Sequence, residues 1–292
     1  MPEPPPWRRP RRAQFPGVPA WGALVDRLPD EPFAAAPLGP VTGQWAWGGS
    51  DGAGVRVALL DSGVDASHPQ VGKLERAMEV AEGPGGDIEV VQAEPVDKAG
   101  HGTACASVIR SVATAAALTS VRILTNGKYG AGKALLAGLR WAIENDFDVI
   151  NLSLSTAKPQ FVSELRGLAD QAYFRRCILV AAAHNLPVQS YPWPLASVIS
   201  VASHDAVDPM AYYYNPSPPV DFYARGVRVP VAWPGGGETR STGNSFAAPH
   251  ITGICALILG KHPLLTPFQL KSVLYMAALN VALPEGGSSV IQ

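Results

Sequence analysis

Residues 55–61 read VRVALLD, a short apolar run that stops at an aspartate, and residues 62–65 continue SGVD. A run of this length, bounded by glycine and polar residues, fits a buried parallel strand, because a strand covered on both faces need not alternate. Asp61 then stands at the carboxyl end of the strand, where reactive groups gather in an open α/β sheet. The pattern repeats along the chain. Residues 101–112 (HGTACASVIRSV) read as a helix opening at a Gly-Thr turn. Strands are expected at 121–124, 148–154 (DVINLSL), 177–183 (CILVAAA) and 198–202 (VISVA). Helices with apolar residues at helical spacing are expected at 133–145 and 162–174, a further one at 245–259, and a short one within 41–48. Strands alternating with helices predict an α/β fold: a doubly wound, mostly parallel sheet with helices on both faces.

The 292 residues are 47% hydrophobic and 16% charged, enough to bury a large core. Lys+Arg is 23 and Asp+Glu is 24, a net charge of −1, which argues against a main role in coating nucleic acid or an anionic membrane. Three cysteines (Cys105, Cys177, Cys255) cannot all pair, so a disulfide framework is excluded and buried thiols are expected. The Arg pairs near the N-terminus are followed by no apolar segment of a secretion signal. No run approaches the ~20 apolar residues of a spanning helix. The expected location is the cytoplasm. Residues 1–38, rich in Pro and Arg, read as a loosely ordered extension, and residues 39–292 as one domain.

Three segments set polar residues at strand ends or helix starts: Asp61 in DSGVD, His101 in GHGTA and Ser245 in TGNSFAAPH. Only the fold can bring them together. A serine hydroxyl is a poor nucleophile unless a base takes its proton during attack. An imidazole titrates near neutrality and suits that task. An aspartate holds the imidazole in the correct tautomer and stabilises the imidazolium that forms. Asn185, just past CILVAAAH, is the candidate side-chain donor to an oxyanion, beside the backbone N–H of Ser245.

With these residues in hand, the sequence resembles the subtilisin-like serine proteases, the subtilases. The likeness rests on VALLDSGVDASHP, GHGTA, DVINLSLS, VAAAHN and TGNSFAAPHITG, in that order, over about residues 40–280. It implies a triad of Asp61, His101 and Ser245, with Asn185 as oxyanion donor. It implies that Ser153, Leu154 and Ser155 pair with the substrate backbone, and that the Gly-rich stretch 126–132, with Gly127 and Gly130, forms the other edge of the cleft. A peptide held between two edges is strand addition. The implied activity is that of a serine endopeptidase acting on a peptide or protein, without a cofactor or catalytic metal.

The chain departs from the family pattern at several positions. Asn244 stands in place of the usual Thr, with activity expected to survive. TACAS after His101 lacks the usual second His, a change expected to be neutral. His184 replaces a usual Gly, which would be strained if that position needs a positive φ. Ser155-Thr156 replaces a usual Gly-Gly at the entrance of the pocket for the residue before the scissile bond, and the segment 186–190 is short. The added Cβ atoms should narrow that pocket, which the short segment normally helps to shape. Residues 113–120 (ATAAALTS) offer no carboxylate for the calcium site many relatives carry there. The N-terminal segment is too short and Pro-rich for a folded pro-domain, and the C-terminus ends early. Together these suggest a specialised cytoplasmic maturation protease, with the leader of a ribosomally made peptide as one possible substrate. Two rivals remain: a transpeptidase or macrocyclase on the same site, and an inactive fold serving as a binding module. His68, His250 and His262 read as packing residues, Trp193, Trp233 and Tyr212–Tyr214 as core or loop packing, and the Gly clusters 83–86 and 235–237 as turns. The oligomeric state is left open.

Overall fold

The computed structural model describes residues 40–83, 87–124 and 131–281. The chain runs through α1 (Gly43–Trp47), β1 (Arg56–Asp61), β2 (Arg76–Glu82), β3 (Ile88–Gln92), α2 (His101–Val112), β4 (Ala117–Arg122), α3 (Ala131–Glu144) and β5 (Val149–Leu152). It continues through α4 (Val162–Phe174), β6 (Ile178–Ala182), β7 (Val198–His204), β8 (Tyr212–Tyr214), β9 (Phe222–Arg225), β10 (Val229–Trp233), β11 (Gly237–Ser241), α5 (Asn244–Lys261) and α6 (Pro267–Ala277). Nine strands form one sheet in the order β3-β2-β4-β1-β5-β6-β7-β9-β8. Neighbours are parallel except the antiparallel pairs β2–β3 and β8–β9 at its two edges. β10 and β11 form a separate antiparallel hairpin.

The apolar run of β1 is explained by a core on each face. Val57 and Leu59 pack with α2 and α5, whereas Ala58 and Leu60 pack with α3 and α4. β6 divides in the same way, with Ile178, Val180 and Ala182 on one side and Leu179 and Ala181 on the other. This is the doubly wound arrangement, and it leaves the carboxyl ends of β1, β5 and β6 side by side. α5 is buried from Ser245 to Leu259. A helix apolar all round has no solvent face and belongs in the interior. Among the described residues no helix is long and apolar enough to cross a membrane.

Several expected elements shift. The strand expected at 121–124 is β4, Ala117–Arg122, lodged between β1 and β2. Its Thr119 and Ser120 are buried, so a stretch that reads as small and polar is a central strand. Position in the sheet has overridden composition. β2 and β3 were not anticipated: RAMEVAE is only partly buried, and charges interrupt its apolar residues. α2 and α4 occupy their expected spans. α5 starts one residue early and runs to Lys261. Gly235 and Gly236 turn the β10–β11 hairpin with positive φ; residues 84–86 lie outside the described residues. His68, His250 and His262 each bond a backbone carbonyl, of Gly237, Phe246 and Trp45, as packing histidines do. Near the chain end, Lys271 Nζ sits among three oxygens: Ala196 O at 3.2 Å, Val198 O at 3.2 Å and Asp221 Oδ2 at 2.9 Å.

α2 and α5 pack tightly enough that a Cβ on Gly253 would lie 2.6 Å from Val112 Cβ. Gly253→Ala is therefore expected to lower stability despite the better helix propensity of alanine. Overpacking of this kind costs about 1–3 kcal/mol, against a propensity gain of at most about 1 kcal/mol. Urea denaturation checks this, and pairing the change with Val112→Ala should recover most of the loss.

Candidate active site

Asp61 ends β1 and His101 opens α2, and the two side chains meet: His101 Nδ1 lies 2.8 Å from Asp61 Oδ1. The same oxygen accepts the N–H of Ser62 at 2.7 Å. Oδ2 of this 1% exposed carboxylate has no hydrogen-bond partner. The His101 side chain is about one-third exposed. Its ring rests against Phe246, with centroids 5.3 Å apart, in the first turn of α5. Ser245 precedes Phe246 there, nearly buried, at the positive end of the helix dipole. Among the described residues no hydrogen bond joins the Ser245 hydroxyl to the His101 ring. Such bonds are often long before substrate binds and tighten only in the complex.

Ser245 is anchored through its own carbonyl. In an α-helix that oxygen would accept the N–H of residue 249, but Pro249 has none. The freed carbonyl accepts instead from Ser153 Oγ at 3.0 Å and from Cys105 Sγ at 3.4 Å. Ser153 follows β5 and takes a hydrogen bond from Asn151 Nδ2 at 2.8 Å. Cys105 lies one turn after His101, with its sulfur 3.8 Å from His101 Nδ1. The sequence reading treated Cys105 as an inert core thiol. Its spacing of four from His101 on a helix was the available signal.

Asn185 follows β6. Its Oδ1 accepts the N–H of Asn244 at 2.9 Å, which leaves Nδ2 to donate elsewhere. Nδ2 of Asn185 and Oγ of Ser245 both lie within 4 Å of the point where a Cβ on Gly243 would project, so a donor and a hydroxyl face one region. Asn244 does more than replace Thr. Its Nδ2 donates to Ala183 O at 3.1 Å and His184 O at 3.3 Å, and its Oδ1 accepts Ser203 N–H at 2.8 Å. His184 is not among the residues with positive φ, so it carries no strain of that kind. Its Nδ1 accepts Leu186 N–H at 3.0 Å and closes the short turn after Asn185.

The segments expected to shape the neighbouring pocket touch. Ser155 Oγ donates to Ser190 Oγ at 3.0 Å, and Trp193 Nε1 donates to the same oxygen at 2.9 Å. Thr156 and Tyr191 exchange two backbone hydrogen bonds of 2.9 Å. Leu154 is half-buried between Ser153 and Ser155. Gly127 and Gly130 lie outside the described residues. A hollow of about 590 Å³ opens beside Asn185 and Asn244, lined by Tyr191, Trp193 and Val220 among others.

Asp97 supports the whole start of α2. It is 7% exposed and accepts from Ser62 Oγ (2.9 Å), Gly100 N (2.8 Å), Thr103 N (2.8 Å) and Thr103 Oγ1 (2.7 Å). Ser62 Oγ in turn accepts the N–H of Gly102 at 2.9 Å. This carboxylate caps the helix that carries His101, a role the sequence reading missed.

Burial is the largest influence on His101 and opposes the imidazolium; Cys105 and Asp61 act the other way, and the net pKa is well above the ordinary 6.5. Burial pushes the Cys105 thiol up, which keeps it neutral at pH 7, so Asp61 is the partner that sustains the shift. Among the described residues, Asp61, His101 and Cys105 form the one group whose donor atoms lie close enough together, within 4.8 Å, to hold a metal. A metal there would displace the Asp61–His101 bond.

Residues 52–289 match the profile described as the Subtilase family. The chain is 31% identical over 246 residues to subtilisin of Bacillus pumilus, covering 79% of this chain and 86% of that protein. It is 30% identical over 250 residues to subtilisin DY of Bacillus licheniformis, covering 80% and 86%. Among solved structures it resembles a cold adapted subtilisin-like serine proteinase, with a TM-score of 0.61 and 26% identity over 77% of this chain and 82% of the other.

A ring that must be neutral to accept a proton loses activity as pH falls through its pKa. The acid limb of kcat/KM should therefore have its midpoint above 6.5, and Asp61→Asn should move it down while cutting kcat by about 10⁴. Asp97→Asn should destabilise the fold by about 1.5–3 kcal/mol, the worth of hydrogen bonds to a charged group. It should also lower kcat with little change in KM, as read by denaturation and steady-state kinetics.

Proposed function

Since this chain belongs to the subtilase family, and is thus a serine-type endopeptidase acting on peptides or proteins, we propose that Asp61, His101 and Ser245 are its catalytic triad and Asn185 its oxyanion donor. The observation that carries this is the 2.8 Å Asp61–His101 contact, with the ring resting on the residue after Ser245. Ser245 Oγ attacks the scissile carbonyl carbon and His101 Nε2 takes its proton. Asp61 accepts from Nδ1–H and balances the imidazolium. Asn185 Nδ2 and the Ser245 N–H donate to the oxygen that gains the charge. The C–N bond then breaks as His101 returns the proton to the leaving amine, giving an acyl-enzyme and a free amino terminus. Water repeats the sequence on the ester and restores the hydroxyl.

The substrate pairs along Ser153, Leu154 and Ser155. Residues 39–292 act as one peptidase domain preceded by the extension 1–38, a division supported by the span of the family match. The finer role is selective processing in the cytoplasm, such as removal of a leader from a ribosomally made peptide. The odd number of cysteines, with Cys105 and Cys255 buried as free thiols, supports that compartment. The tie between Ser155 and Ser190 supports selectivity.

A fluorophosphonate should label the native protein and not Ser245→Ala, and the mass of cleaved products should show one added water. Labelling without Ser245, or products lacking that water, would defeat the assignment. Asn185→Ala should lower kcat by about 10²–10³ with a much smaller effect on KM.

A further inference from the structure

We propose that Ser155 and Ser190 restrict this peptidase to cleavage after small residues, namely glycine, alanine and serine. The inference rests on the triad reading above and deepens it. The reacting carbonyl has to sit between Ser245 Oγ and Asn185 Nδ2, which face the same region in front of Gly243. The substrate chain before that carbonyl runs along Ser153–Ser155, the continuation of β5. Asn185 continues β6, the parallel neighbour of β5. The side chain next to the reacting carbonyl therefore points into the crevice between the two continuations, residues 153–156 on one side and 183–191 on the other.

That crevice is closed from within. The Ser155 hydroxyl reaches across to Ser190 at 3.0 Å, and Trp193 Nε1 holds the same Ser190 oxygen at 2.9 Å. One residue further on, the two backbones are joined by the pair of hydrogen bonds between Thr156 and Tyr191. Ser190 is fully buried. The 590 Å³ hollow gives no relief, because Ser190 is part of its wall and residues 153–156 are not. A methyl or hydroxymethyl group fits in front of the Ser155–Ser190 bond. A leucine or phenylalanine would have to break that bond and leave the Ser155 hydroxyl without its acceptor.

The test is a series of peptides differing only at the residue before the scissile bond (Gly, Ala, Ser, Val, Leu, Phe), with kcat/KM read by mass spectrometry beside fluorophosphonate labelling. Alanine and serine peptides should exceed leucine and phenylalanine by at least about 10-fold, the lower end of what one or two carbons decide in a pocket. Ser155→Gly, which removes the bond and the Cβ, should raise the Leu:Ala ratio by a similar factor. Ser190→Ala breaks the bond but keeps the Cβ, and provides a second variant whose folding is checked by its melting temperature. It should raise the ratio less than Ser155→Gly. A native enzyme that is labelled yet cleaves after leucine or phenylalanine as well as after alanine overturns the inference alone. So does an unchanged ratio in both variants. A protein neither labelled nor active on any peptide overturns the triad reading and this inference together.

Discussion

The carbonyl of Ser245 is the point at which three elements of this fold are tied. It can bond outside its helix only because Pro249 brings no N–H to the next turn. Ser153, at the end of β5, and Cys105, inside α2, take up the vacancy. The proposed nucleophile, the helix that carries the proposed base and the edge proposed for substrate are thus indexed to one oxygen atom. A helix interior normally excludes proline at a penalty of about 3 kcal/mol. Here the lost backbone bond is replaced by two side-chain bonds that reach other elements, so a local defect becomes a cross-link.

A second carboxylate performs the same service at the start of α2. Asp61 meets the ring, while Asp97, through Ser62 and the first N–H groups of the helix, fixes where the ring begins. Both acids are buried, and they divide the labour: one faces the imidazole and the other spends its oxygens on the scaffold. Electrostatic preorganisation of this kind means little has to rearrange when charge develops on the substrate.

Much of this arrangement was legible in the sequence. Asp61, His101, Asn185 and Ser245 stand out because each follows an apolar strand or opens a helix, within motifs that resemble those of the subtilases. α2 was bounded correctly from the Gly-Thr turn at its start and α4 from the helical spacing of its apolar residues. β4 was misplaced because Thr119 and Ser120 are buried by their neighbours in the sheet, information no local window holds. β2 and β3 were missed because charged side chains break the alternation of a partly covered edge. Cys105 and Asp97 were passed over for a different reason. Each acts through backbone groups or through another residue, so its identity says little until the partner is in place. The narrowing at Ser155 was expected from side-chain volume, but its bond to Ser190 depends on a turn whose path the sequence did not reveal.

Lys271 carries a consequence for the rest of the molecule. Its ammonium occupies a cage of two peptide oxygens and a carboxylate where the approach to β7 meets the start of β9. Oxygens grouped in that way would otherwise attract a dissolved ion, whose occupancy would follow its concentration by mass action. A charge delivered on a covalent tether is present at the same effective concentration in every solution. The integrity of this junction is therefore set by the chain itself, and dialysis or dilution cannot strip it.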